Sequence, residues 1–143
     1  MMNNMDLYSI NTELMELQRL MGAANLQITE KEEELRRLKE ALTKLSVCKI
    51  DFTDSKSLCL APEFSSTTLH GDNANKLDSY RKKELQVSYN AISDEQISNA
   101  EEKISQQIEI VTQEISDLKS SVSSMQTQHT DLTNQKREVK NQS

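Results

Sequence analysis

From Leu7 onward, apolar side chains recur at Ile10, Leu14, Leu17, Met21, Ala24 and Ile28, and again at Leu35, Leu38, Leu42 and Leu45, with steps that alternate between three and four. Lys31 takes the seam position between Ile28 and Leu35 and is the one charged residue among these twelve positions. Such spacing places one side chain per turn on a single helical stripe, the seam of a coiled coil. The block Glu30 to Glu34, with Arg36, Arg37 and Lys39, sets opposite charges three to four residues apart on the solvent side. The pattern predicts a helix over residues 5–48.

The periodicity then stops. Residues 49–73 are read as a connection, because Pro62 cannot donate into a helix and disfavours helical angles at Ala61, while Ser65, Ser66, Thr67 and Thr68 offer no apolar stripe. After Gly71, Asp72 or Asn73 can cap a new helix, and neither Gly nor Pro occurs again. A second, longer helix is predicted over residues 74–140. Its early face carries Ala74, Leu77, Leu85, Tyr89 and Ile92, and its later face Ile97, Ala100, Ile104, Ile108, Val111, Ile115, Leu118, Val122, Met125, His129, Leu132 and Val139. The phase slips between Ile92 and Ile97, so a kink near residues 93–97, or a restart capped by Ser93 and Gln96, is expected there.

The fold class is therefore all-α, a long antiparallel helical hairpin resembling a coiled coil, built as a single domain over residues 1–143. If the arms pair from the turn outward, the first helix lies against roughly residues 74–118 and leaves Val122 to Val139 without a partner. Leu20, Ala41 and Cys48 also widen the first stripe beyond a two-stranded seam, and a four-helix arrangement would enclose such a surface.

Composition sharpens this picture. Two Gly, one Pro and no Trp in 143 residues leave little for the tight turns of a sheet or for a broad aromatic core. A net charge of -6 opposes nucleic-acid phosphates and anionic lipid surfaces, and Arg81, Lys82 and Lys83 form the only basic triplet. No stretch has the roughly 18 consecutive apolar residues of a membrane span. The amino terminus lacks the basic and apolar regions of a cleaved secretory signal. The chain is read as cytoplasmic, or exported without a cleaved signal peptide.

The residues that usually carry chemistry are sparse. His70 and His129 lie far apart with no ligand-spaced companions, and no nucleophile motif, phosphate loop or cleft-forming carboxylate pair is present. No enzyme activity, metal or cofactor is expected. Cys48 and Cys59 sit on either side of the start of the connection, as two free thiols in a reducing compartment or as a disulfide in an oxidising one.

The residues Pro62, Phe64, Ser65, Thr68, Leu69, His70, Gly71, Ala74, Leu77, Asp78, Arg81, Leu85, Ser88 and Tyr89 resemble the pattern of the YwqH-like family, helical-hairpin proteins related to the WXG-motif secretion proteins. Where that pattern has Trp-x-Gly, this chain reads Leu69-His70-Gly71, keeping an apolar anchor and the turn glycine but not the aromatic ring. Tyr80 and Glu84 are similar to a Tyr-x-x-x-Glu export signal. The resemblance implies an adaptor or chaperone-like partner that binds the helical amino-terminal region of an LXG-type toxin, alone or with a second small helical protein, for type VII secretion. The expected contact residues are Leu14, Leu17, Met21, Ile28, Leu35, Leu38 and Leu42 on one helix and Ile104, Ile108, Val111, Ile115 and Leu118 on the other. A structural coiled-coil homo-oligomer is the alternative.

Overall fold

The computed structural model describes residues 6–55 and 71–142. Among them the chain is helical from Leu7 on, and the long first helix packs against the last in an antiparallel hairpin. Helix α1 runs Leu7–Asp54, past the expected end at residue 48. The second arm comprises α2 (Gly71–Tyr80), a π turn (Arg81–Leu85), α3 (Gln86–Ala91), a second π turn (Ile92–Ile97) and α4 (Ser98–Gln142).

Asp6 starts α1. Its Oδ1 accepts the Ser9 backbone N–H at 2.7 Å, and its carbonyl accepts from the Ile10 N–H at 3.1 Å. A carboxylate at this position satisfies a donor that the first helical turn cannot pair internally. The Ser9 bond stabilises the charged form, so the Asp6 pKa is lowered. Further along, Glu16–Arg19, Glu33–Arg36 and Glu40–Lys44 form exposed pairs within the helix. Such pairs add only tenths of a kcal/mol each, so the helix depends chiefly on its packed face.

The contacts divide into two compact units, residues Met1–Arg36 with Glu109–Ser143 and residues Arg37–Ile108. In the first, Ile10, Leu17 and Leu132 form a buried cluster against which Leu14, Met21, Met125 and Val139 pack. Ala24, Ile28, Val111 and Ile115 are also buried there. Gln18 meets His129, and Lys31 meets Glu114, so positions on α4 fall as those on α1 rise. The expected pairing is thus corrected: Met125, Leu132 and Val139 lie in the seam instead of running on unpartnered.

In the second unit, Ser46 and Lys49 contact Glu101, and the Phe52 ring lies 5.1 Å from that of Tyr89. This pair is again antiparallel. Ile97 is buried, and Leu38, Leu42, Leu45, Ile104 and Ile108 are half-buried.

The phase slip at residues 92–97 is a π turn and not a capped restart. Ala91 before it and Ser98 after it both keep right-handed helical angles, so the helix runs through it without a break. A π turn accommodates one extra residue without interrupting the helix. It therefore carries the apolar face from Ile92 to Ile97 in a single step of five. The earlier π turn, Arg81–Leu85, was not expected from the pattern. Of the early face, Leu77 and Leu85 are exposed, whereas Tyr89 and Ile92 are half-buried.

Two measurements check this packing. Ile115→Ala should cost about 2–4 kcal/mol in chemical denaturation, as truncating a buried isoleucine usually does. Ile110→Ala, on a side chain that is 53% exposed, should cost under ~1 kcal/mol. Separately, Asp6→Ala should lower the melting temperature at neutral pH. The folded-state pKa of Asp6 lies below its ordinary 3.8, so its contribution is present above that value and is lost as pH falls through the lowered one. The gap between wild type and variant should therefore close in strongly acidic buffer, and a gap that persists there would contradict the cap.

Candidate protein-interaction surface

The twelve side chains expected to contact a partner all lie in the hairpin's own seams. Leu17, Ile28, Val111 and Ile115 are buried, while Leu14, Met21, Leu35, Leu38, Leu42, Ile104, Ile108 and Leu118 are half-buried. In each unit the seam is closed along its centre line and open along its flanks. This is the geometry of two helices. A ridge of apolar side chains touches one neighbouring helix, and the side turned away from that neighbour keeps contact with water.

The open flanks carry polar groups. In the first unit one groove sets Glu13, Glu16 and Asp131 above Leu17 and Leu132, and the opposite groove sets His129 and Lys136 beside Leu14 and Met15. Both grooves are shallow and open.

Polar contacts bridge the helices. Lys31 occupies the seam position where the apolar pattern breaks, and its Nζ donates to Glu114 Oε2 at 2.8 Å. The Glu114 hydrogen bond favours the ammonium, so the Lys31 pKa is raised. At the next contact, Gln18 Nε2 and His129 Nε2 lie 3.4 Å apart. In the second unit, Ser46 Oγ donates to Glu101 Oε2 at 2.8 Å and Lys49 Nζ lies 3.2 Å from Oε1. These donors, Ser46 first and then Lys49, lower the Glu101 pKa.

The seam position of His129 is legible in the spacing, but its partner Gln18 is not. Glu101 was also missed. Only the register of the folded hairpin tells which of many carboxylates meets Ser46 and Lys49. The Asp6 cap carried a readable signal, an aspartate directly before the first apolar residue of the stripe.

Gly71 is the first residue of α2, and Leu69 lies outside the described residues. Tyr80 closes α2 and Glu84 lies in the π turn that follows, both exposed. Cys48 is exposed, and Cys59 lies outside the described residues. Leu20 and Ala41 are exposed on the widened side of α1. Among the described residues, no group of three His, Cys, Asp or Glu is arranged to hold a metal ion, and no helix is long and apolar enough to cross a membrane. No family model, curated protein or solved structure matches the chain.

The bridge between Lys31 and Glu114 generates a direct test. Lys31→Glu should place two like charges together and lower the denaturation midpoint, with the loss shrinking at high salt. Restoring the pair in reversed order, Lys31→Glu with Glu114→Lys, should recover most of that loss in a double-mutant cycle. Strictly additive effects would mean that the contact does not couple the helices.

Proposed function

We propose that this chain is a non-enzymatic adaptor that binds the helical amino-terminal region of an LXG-type toxin and presents it to the type VII secretion machinery. The observation that supports a binding role is the half-covered seam. Leu14, Met21, Leu35, Leu38 and Leu42 on α1, with Ile104, Ile108 and Leu118 on α4, keep part of their apolar surface in water. Covering these flanks with one or two further helices removes that surface from water, each 100 Å² of apolar area being worth about 2.5 kcal/mol before the cost of ordering the partner.

The toxin class comes from the likeness of the Pro62 to Tyr89 segment to the YwqH-like pattern. Tyr80 and Glu84, both exposed, are available to a recognition partner in that reading. Export without a cleaved signal peptide belongs to the same proposal.

Co-expression with an LXG-type helical region should give a stoichiometric complex on size exclusion, with a melting temperature above that of either protein alone. Leu35→Asp with Leu38→Asp should abolish the complex. Both leucines also line the hairpin's own seams, so the far-UV helix signal of the variant must be measured beside the pull-down. Retained complex formation by a helical double variant would defeat the seam reading. A chain that forms a cooperatively melting homo-oligomer and ignores the toxin region would establish the structural coiled-coil alternative instead.

A further inference from the structure

Within the second unit, α1 ends at Asp54, shortly beyond the Phe52–Tyr89 contact, whereas the opposite arm extends from Tyr89 back to Gly71. Several apolar side chains on the early face of that arm are exposed to water. Leu77 is 44% exposed, Tyr80 56% and Leu85 40%. One α turn and one wider π turn together take up about eight residues, so Leu77 and Leu85 project from nearly the same side, with Tyr80 beside them.

The charge around this face differs from that of the chain as a whole. Lys76, Arg81, Lys82 and Lys83 stand against Asp78 and Glu84 in the stretch from residue 76 to residue 85, while the complete chain carries -6. Lys76 and Lys83 are exposed. Two copies joined through this face by a two-fold axis would bring their basic residues together, a repulsive arrangement. A helix with an apolar stripe bordered by carboxylates fits both the leucines and the lysines.

Resting on the adaptor reading, we propose that an acidic amphipathic helix of the partner docks on Leu77, Tyr80 and Leu85, held in register by Lys76 and Lys83. The face uses apolar contact for affinity and its basic border for choice of partner.

The test uses the full chain and two labelled synthetic peptides that share one leucine stripe, the first bordered by Glu and the second by Lys. Fluorescence anisotropy should show the Glu peptide binding at least ~10-fold more tightly at low salt, with the preference shrinking as salt screens the charges. Leu77→Asp with Leu85→Asp should weaken that binding at least ~10-fold, and Lys76→Glu with Lys83→Glu should reverse the preference. All four positions are exposed, so both variants should keep the wild-type helix signal.

Equal binding of the two peptides, or binding unchanged in the variants, overturns the proposal. It is also overturned if ultracentrifugation shows a homodimer that Leu77→Asp with Leu85→Asp dissolves, which would assign the face to a second copy. Glu-peptide binding seen only after Leu58, Leu60 and Phe64 are changed to Ser would assign it to residues 56–70 instead. A helical Leu77→Asp, Leu85→Asp variant that still captures the LXG region rejects this docking face and leaves the adaptor reading standing. A chain that selects the Glu peptide but never captures an LXG region does the reverse.

Discussion

A two-helix seam can bury only the middle of an apolar ridge, and the rest of this molecule follows from that constraint. Each helix offers its neighbour one stripe, so side chains at the centre, such as Ile10, Leu17, Val111 and Ile115, reach burial. Their companions one step to the side remain half-open. A globular protein would add another layer over those flanks. Here each unit is described by one helix segment lying against another. Stability drawn from so narrow a seam is spread thinly along its length, and each buried position matters more than it would in a deep core.

Polar contacts decide how the ridges are matched. Leucine and isoleucine stripes of even spacing tolerate sliding by a heptad, since each step presents similar side chains to the same holes. Lys31 with Glu114 and Gln18 with His129 break that degeneracy in the first unit, and Glu101 with Ser46 and Lys49 does so in the second. An ion pair as open to water as Lys31–Glu114 contributes little net energy, because solvent screens the attraction. Its effect falls on the competing registers, which would leave Lys31 against apolar neighbours without a carboxylate.

The helical class and the antiparallel hairpin were legible because a three-and-four spacing sustained over many turns matches the period of a helix and neither the alternation of a strand nor the irregularity of a coil. The slip between Ile92 and Ile97 was legible as well, as a step of five in an otherwise regular stripe. The pairing of the arms was not. Counting outward from the turn assumes a tight connection, and a connection of more than a dozen residues relaxes that assumption. Met125, Leu132 and Val139 pack against the start of α1, so the end of the second arm lies in the seam, whereas Leu77, Tyr80 and Leu85 near its beginning are exposed. The continuation of α1 through Lys49, Ile50 and Asp51 was hidden for a related reason, since weak local periodicity does not end a helix already propagating.

The two π turns separate the frame of the second arm into pieces that can be adjusted one residue at a time. Removing a single residue within Arg81–Leu85 would convert that turn towards ordinary α geometry and rotate everything before it, while Ile97 and the residues that follow keep their place in the seam. Small insertions and deletions there are consequently a route by which a hairpin of this kind acquires a new outward face without rebuilding the one it folds on.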